Sequence, residues 1–153
     1  RDPLWIGFNL LFFSIFIYLA DRKAAQALEE NSFSLKHTLL IGLAQSIALM
    51  PGASRSGMTI MAALFLGYTR GAAARLSFLL GTPIILAAVL LEACKISPER
   101  LNAASAAGLA ASFTTGLAVI GLLMAWLKKR TLTPFIIYRV ILGAAILWLF
   151  RGS

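Results

Sequence analysis

The chain has 153 residues, of which 59% are hydrophobic and 13% charged, and its mean hydropathy is +0.85. This composition leaves too little polar surface for a water-soluble globule, so it indicates an integral membrane protein. The net charge of +8 does not indicate a nucleic-acid partner, because the basic residues are scattered among the ends of apolar segments. One cysteine and one histidine exclude a disulfide framework and a zinc site, so any metal would need oxygen ligands.

Long apolar segments predict an all-α, polytopic fold. We predict about four transmembrane helices, each near the ~20 residues that span a bilayer. They cover residues 4–20, 72–92, 101–127 and 134–150. We treat residues 1–153 as a single membrane domain and expect the sequence to be a fragment of a longer protein.

Residues 37–69 lie between the first two predicted spans and form a different kind of segment. Two short apolar helices, His37–Met50 and Ser56–Thr69, are joined by a Pro-Gly turn. Each has roughly 14 residues and reaches only about 21 Å at 1.5 Å per residue, short of a full crossing. We therefore predict a re-entrant helical hairpin, with two short full spans as the alternative.

The lysines and arginines near the segment ends predict the orientation. One group would share the side of the membrane from which the hairpin enters, namely Arg22, Lys23, Lys36, Arg70, Arg75, Lys128, Lys129 and Arg130. The smaller group would lie opposite and consists of Arg1, Lys95, Arg100 and Arg151. By the positive-inside rule the larger group is cytoplasmic, and both chain ends lie outside.

The hairpin turn carries the residue types of an anion site. Gly52 and Gly57 allow tight backbone geometry, and the helix that starts near Ser56 presents unpaired N–H groups to a ligand. Arg55 adds a permanent charge and a planar fork suited to phosphate oxygens. Hydroxyl groups complete the set, on Ser54, Ser56 and, one turn further on, Thr59.

Several alternatives stay open or are weaker. Arg55 could instead pair with a carboxylate or with carbonyls of a neighbouring span, and Gln45 could either hydrogen-bond the turn or pair with another helix. No nucleotide-binding glycine motif is present, and the segment between Cys94 and Arg100 has no glycine to wrap a phosphate. We attribute Arg139, five residues past Pro134, to snorkelling toward the interface.

The segment Ala44–Thr59, which contains Pro-Gly-Ala-Ser-Arg-Ser-Gly, resembles the bacterial undecaprenyl-diphosphate phosphatase family. The similarity continues through most of the chain, at Arg70, Ala72–Arg75, Ser77–Leu80, Tyr138-Arg139 and Gly143. The resemblance implies half of an inverted-repeat fold, the C-terminal half, whose partner repeat supplies a glutamate-rich motif and a histidine that this chain lacks. It also implies a bacterial inner-membrane location, with an active site that opens to the outer face.

In that family the serine and arginine of the motif, here Ser54 and Arg55, serve diphosphate binding and catalysis. We expect Gly52, Ser56, Gly57, Thr59 and Gln45 to contribute to substrate binding. The resemblance implies a divalent cation, Mg²⁺ or Ca²⁺, held by ligands in the missing N-terminal half, and no metal ligand is expected in this chain. The expected partners are the lipid diphosphate, membrane lipids and the missing half, and a homodimer is compatible with the sequence.

The expected activity is hydrolysis of undecaprenyl diphosphate to undecaprenyl phosphate and inorganic phosphate, which recycles the lipid carrier of cell-wall synthesis. Alone, the fragment is expected to be inactive. A flippase for undecaprenyl phosphate or a related anionic lipid is the alternative, because transporters are also built from inverted repeats around a midplane site. A scaffold whose arginine has only a structural partner is a third hypothesis.

Overall fold

The computed structural model describes residues 2–95 and 102–151 and places six α-helices in them. In chain order they are α1 Pro3–Lys23, α2 Leu35–Ser46, α3 Arg55–Phe65, α4 Arg70–Ala93, α5 Ala103–Leu127 and α6 Thr133–Phe150. Short 3-10 helices, Glu30–Ser32 and Ile47–Leu49, precede and extend α2.

Four of these helices, α1, α4, α5 and α6, are long and apolar enough to cross a membrane. The prediction of an all-α polytopic membrane protein is confirmed. Helix α5 begins at Ala103 because Asn102 caps it, whereas the sequence placed its start at Leu101, which lies outside the described residues. Helix α3 ends at Phe65 rather than Thr69, because Gly67 takes a positive φ of 92° and turns the chain into α4.

Helix α3 lies at the centre of the packing and contacts α1, α2 and α4. Its inward side chains are fully or nearly fully buried: Met58, Thr59, Ile60, Ala63 and Leu64. They pack with Phe13 and Ile17 of α1 and with Ile41 of α2. Helix α3 is therefore enclosed by its neighbours, whereas α2 buries only Ile41 and leaves Leu35, Leu39 and Leu43 exposed.

The two ends of the α2–α3 hairpin lie together. His37, one turn into α2, shares a hydrogen bond of 2.9 Å with the hydroxyl of Tyr68, which follows α3. That hydroxyl also donates to the Ser32 carbonyl at 2.8 Å. Ser34 starts α2, because its hydroxyl accepts a hydrogen bond from the His37 amide. The hairpin turn therefore lies at the far end from His37, which cannot reach it.

The hairpin turn stops alongside α1 rather than beyond its end. A Cβ added to Gly52 would lie 2.7 Å from the Ile6 carbonyl oxygen and 3.1 Å from Cβ of Asn9. Asn9 is six residues into α1, about 9 Å from its first residue at 1.5 Å per residue. The turn is thus buried against a helix long enough to span the bilayer.

At the end of the bundle away from the hairpin turn, an ion pair joins the end of α1 to the starts of α4 and α6. Asp21, at the end of α1, accepts from Arg70 at the start of α4 and from the amide of Leu132 before α6. Arg70 also donates to the Asp21 carbonyl and to the Gln26 side chain. The Asp21 carboxylate is almost fully buried, and its hydrogen bonds to Arg70 and Leu132 offset part of the cost of removing it from water.

Candidate anion-binding site

The turn between α2 and α3 has the pattern of a type II turn. The Ala53 amide donates to the Met50 carbonyl at 3.2 Å, with Pro51 and Gly52 as the central residues. Pro51 suits the first central position, and Gly52, with φ of 91°, provides the positive φ that the second requires. The Pro-Gly pair therefore reverses the chain without a further insertion.

Side chains from two other helices hold consecutive carbonyls of this turn. The Asn9 amide of α1 donates to the Pro51 carbonyl at 2.8 Å, and Nη2 of Arg139 on α6 donates to the Gly52 carbonyl at 3.0 Å. Nε of Arg139 also donates to the hydroxyl of Ser14 on α1, at 3.3 Å. Turn carbonyls that lie among apolar helices are thereby satisfied.

Ser54 is the N-cap of α3 and is strained. Its Oγ accepts from the Gly57 amide at 3.3 Å, but its φ is +65° with ψ of 114°. A non-glycine residue in a sparsely populated backbone region costs of order 1–3 kcal/mol and persists only where its surroundings enforce it. The cap directs the first amides of α3, and the positive end of its dipole, out of the turn.

A cavity of about 270 Å³ opens beside this helix start. Its polar wall contains Ser54, Ser56, Gly57 and Arg139. The remaining wall is largely apolar and comes from α1, α3, α5, α6 and the connection between α5 and α6: Ile17, Ile60, Leu123, Leu127, Leu132, Phe135, Ile136 and Tyr138. Cationic and hydroxyl groups at one side of an apolar chamber suit the anionic head of an amphiphile.

Arg55 does not line this cavity and lies on the α4 side of the helix start. A Cβ added to Gly81 of α4 would lie 3.5 Å from Nη2 and 3.6 Å from Cζ of Arg55, so the guanidinium lies over the bare backbone of Gly81. None of the ion pairs in the described residues involves Arg55, and its guanidinium donates no hydrogen bond within them. The structural alternative, an arginine paired with a neighbouring span, finds no support in this part of the chain.

Only some of the remaining predicted site residues line the cavity. Ser54, Ser56 and Gly57 line the cavity, while Gly52 shapes the turn behind it. Thr59 does not face the cavity: it is fully buried, and its hydroxyl is 2.6 Å from that of Ser77 on α4, on the same face of α3 as Arg55. Gln45 does not line the cavity either, and its Oε1 is buried with no hydrogen-bond partner within the described residues.

The interpretation of Arg139 as a snorkelling residue was wrong. The guanidinium turns inward to the turn and to Ser14, because α1 and the hairpin present acceptors at its level. Gly81 was also missed as a site residue. Its only sequence signal was a glycine in an apolar helix, which does not reveal that an arginine lies over it.

The donor set around the turn does not fit a divalent cation. The cavity is lined by hydroxyls and an arginine with no carboxylate, and the described residues contain no group of three or more His, Cys, Asp or Glu side chains placed to hold a metal. Hard cations take several oxygen ligands, carboxylates among them, and adjacent arginines repel them. The chemistry that these residues offer is anion binding.

A protein-family model described as Bacitracin resistance protein BacA matches residues 1–145. The chain belongs to the BacA family. This confirms the resemblance that was based on the Pro-Gly-Ala-Ser-Arg-Ser-Gly segment. The matched residues include Ser54 and Arg55, which lie half-buried at the turn and the start of α3.

The curated relatives compared below all have the same name. The chain is 43% identical to the undecaprenyl-diphosphatase of Elusimicrobium minutum and 42% identical to that of Pelotomaculum thermopropionicum, each over 96% of this chain and 56% of the relative. It is 40% identical to the undecaprenyl-diphosphatase of Campylobacter curvus, over 98% of this chain and 58% of the relative. The chain thus spans slightly more than half the length of the relatives it matches.

Proposed function

We propose that this chain forms part of an enzyme that hydrolyses undecaprenyl diphosphate to undecaprenyl phosphate and inorganic phosphate. Membership of the BacA family and the name of the relatives support the substrate. The geometry that carries the proposal is Arg55, a guanidinium beside a capped helix start with no acidic partner among the described residues. Such a cation at membrane depth requires an anion, and a diphosphate headgroup is the anion that fits.

In the proposed reaction, water attacks the terminal phosphorus and the bond from that phosphorus to the bridging oxygen breaks. Charge grows on the phosphoryl oxygens and on the leaving lipid phosphate. The hydroxyls of Ser54 and Ser56 would hold the headgroup from the cavity side of the helix start, and Arg55, on the α4 side, would stabilise that charge together with the first amides of α3. Because these groups are fixed by the turn, they need no reorganisation during the reaction.

Among the described residues, no carboxylate or histidine lines the cavity beside the turn to accept the proton of the attacking water. His37 is held at the opposite end of the hairpin by Tyr68. We therefore propose that the general base comes from residues outside the described chain. Any divalent cation that assists the reaction would likewise take its carboxylate ligands from there.

The distribution of charge supports a bacterial plasma membrane location with the turn facing outward. Arg70, Lys128 and Lys129 line one polar pocket at the base of the hairpin, next to the Asp21 ion pair. The positive-inside rule assigns that end to the cytoplasm. The turn lies at the other end of the hairpin, so we propose that it opens toward the outer face.

Phosphate release from undecaprenyl diphosphate in detergent tests the proposal, with the intact protein compared with its Arg55→Ala and Arg55→Lys variants. We expect Arg55→Ala to lose about 10²- to 10³-fold in kcat, the usual effect of removing one preorganised donor. Arg55→Lys should fail as well, because a point charge cannot replace the fork. Arg75→Ala is the matched control: this arginine of α4 pairs with Glu30 in an exposed ion pair and should be dispensable.

Equal activity of Arg55→Ala and Arg75→Ala would overturn the site assignment. A folded intact protein that binds the lipid but releases no phosphate would favour the flippase alternative, since a carrier needs the headgroup site and no hydrolysis.

A further inference from the structure

We propose that Arg139 is a positioning residue that locks the hairpin turn and so aims Ser54 and Arg55 at the headgroup. This inference rests on the proposed function but assigns a role to a residue outside the motif. Arg139 lies 84 positions beyond Arg55 in sequence, on another helix, and reaches the turn through the fold alone.

The contacts of Arg139 are those of a clamp. Nη2 binds the Gly52 carbonyl and Nε binds Ser14 Oγ, so one rigid guanidinium connects α6 to the turn and to α1. Ser14 is itself fixed, because its hydroxyl donates to the Leu10 carbonyl at 2.6 Å. The fork geometry of arginine makes both bonds at once, which lysine cannot do.

The clamp acts where the backbone is under strain. Gly52 and Ser54 both have positive φ, and only Ala53 separates them. Asn9 holds the Pro51 carbonyl from one side while Arg139 holds the next carbonyl from another helix. A strained conformation persists only when its surroundings over-determine it, so these two side chains keep Ser54 in its capping geometry.

Arg139 also lines the cavity, so it could instead be a direct ligand of the headgroup, and kinetics separate the two roles. A positioning role predicts a loss in kcat with little change in KM, whereas a ligand role predicts a rise in KM. Misplacement of reacting groups by about 1 Å can cost about 10²-fold in rate, so we expect a loss of that order for Arg139→Ala.

Asn9→Ala provides the second arm, because Asn9 holds the same turn but does not line the cavity. Under the positioning hypothesis Asn9→Ala lowers kcat in the same way as Arg139→Ala, and the double variant loses less than the product of the two. Arg151→Ala, at the exposed end of the same helix beside Trp148, is the matched control and should keep full activity.

A third experiment, based on thiol labelling, does not depend on catalytic activity. In a Cys94→Ser background, Ala53→Cys places a thiol in the turn at a position with 0% exposure, and Ala63→Cys places one at an equally buried position of α3. Arg139→Ala should raise the maleimide labelling rate at position 53 by about ten- to a hundredfold, the range for losing a hydrogen bond to a charged group. The rate at position 63 should not change, which shows that the fold is intact. Should Arg139→Ala fail to insert, Ser14→Ala and Arg139→Lys remove part of the clamp and should raise labelling at position 53 in the same direction.

Unchanged labelling at position 53, or a higher KM with kcat retained, would overturn the clamp. An intact protein that hydrolyses nothing would refute the proposed function, yet the labelling arm would still decide whether Arg139 holds the turn.

Discussion

Two arginines meet the same turn but have different surroundings. Arg139 binds a carbonyl and a hydroxyl, so its polar contacts are partly met by the fold. Arg55 lies over Gly81 and donates to no acceptor within the described residues. Burying an arginine without partners is costly, and a fold keeps that cost only where an external anion offsets it. We therefore propose that Arg55 binds the anion and that Arg139 positions the turn.

The first prediction at the scale of single residues concerns Gly52 in the turn. Gly52→Ala forces an alanine to φ of 91° and drives its Cβ to 2.7 Å from the Ile6 carbonyl, which belongs to helix backbone and cannot move aside. Gly67→Ala is the matched control, because Gly67 has φ of 92° but open space, its nearest neighbour being 3.9 Å away.

Left-handed backbone alone costs an alanine about 1–2 kcal/mol, so Gly67→Ala should lower the unfolding free energy by that amount. Gly52→Ala should lose clearly more and should also abolish phosphate release. Thermal unfolding of both variants in detergent measures the difference, and equal losses would mean that the turn can move away from α1.

The second prediction concerns the buried hydroxyl pair of Thr59 and Ser77. Thr59→Val keeps the volume but leaves Ser77 without its partner, so it should cost about 1–2 kcal/mol of stability. Thr59→Val combined with Ser77→Ala should recover part of this loss, because neither hydroxyl is then orphaned. A double-mutant cycle by reversible unfolding measures the coupling, and simple additivity would contradict a mutual hydrogen bond.

At the residue scale, the sequence predicted the turn but not its supports. Pro51-Gly52 is a local signal with a physical meaning, so the turn could be located from it. The clamp could not, because Asn9 and Ser14 of α1 and Arg139 of α6 meet at the turn only when the helices pack. The same limit applies to Thr59, whose one-turn spacing from Arg55 fixes a shared face but not which helix covers it.

At the scale of elements, α1 and α6 pack unusually closely. A Cβ added to Gly7 would lie 3.1 Å from the Gly143 carbonyl, and one added to Gly143 would lie 3.1 Å from the Gly7 carbonyl. Small residues let helix backbones approach in this way in lipid, where helices gain little from hydrophobic burial. This contact sets the distance between the two helices that carry Ser14 and Arg139.

Gly143→Leu should therefore separate α1 from α6, cost about 1–3 kcal/mol as overpacking does, and lower phosphate release by moving Arg139. Gly121→Leu on α5 is the matched control, since a Cβ there meets nothing within 4 Å. Thermal unfolding and kcat of the two variants are the measurements. A harmless Gly143→Leu would show that the α1–α6 distance does not control the turn.

Helix length and composition were readable from the sequence at this scale, because ~20 apolar residues have few alternatives in a bilayer. Helix ends were less so: α3 stops at Phe65 because Gly67 adopts positive φ, and the sequence alone did not decide which of the glycines near residue 70 would do so.

At the scale of the whole molecule, the ion pair and the turn lie at opposite ends of the hairpin. Asp21 holds the starts of α4 and α6 at one end, and Asn9, twelve residues earlier on α1, holds the turn. Twelve residues correspond to about 18 Å, well over half of the ~30 Å hydrocarbon core. We therefore propose that the hairpin enters and leaves the membrane on one side, with its tip held beside α1 and α6.

Thiol labelling in whole cells tests that arrangement with three single-cysteine variants in a Cys94→Ser background. Lys36→Cys and Lys129→Cys, both exposed near the base of the hairpin, should react with impermeant reagents only after the cells are opened. Ser56→Cys at the tip should react from outside with a small anionic thiosulfonate, which the arginines attract. A bulky polymer-linked maleimide should fail there, because the tip lies about 9 Å short of the end of α1. Reaction of Ser56→Cys with both reagents would indicate a surface turn between two full spans, and reaction of Lys36→Cys from outside would reverse the orientation.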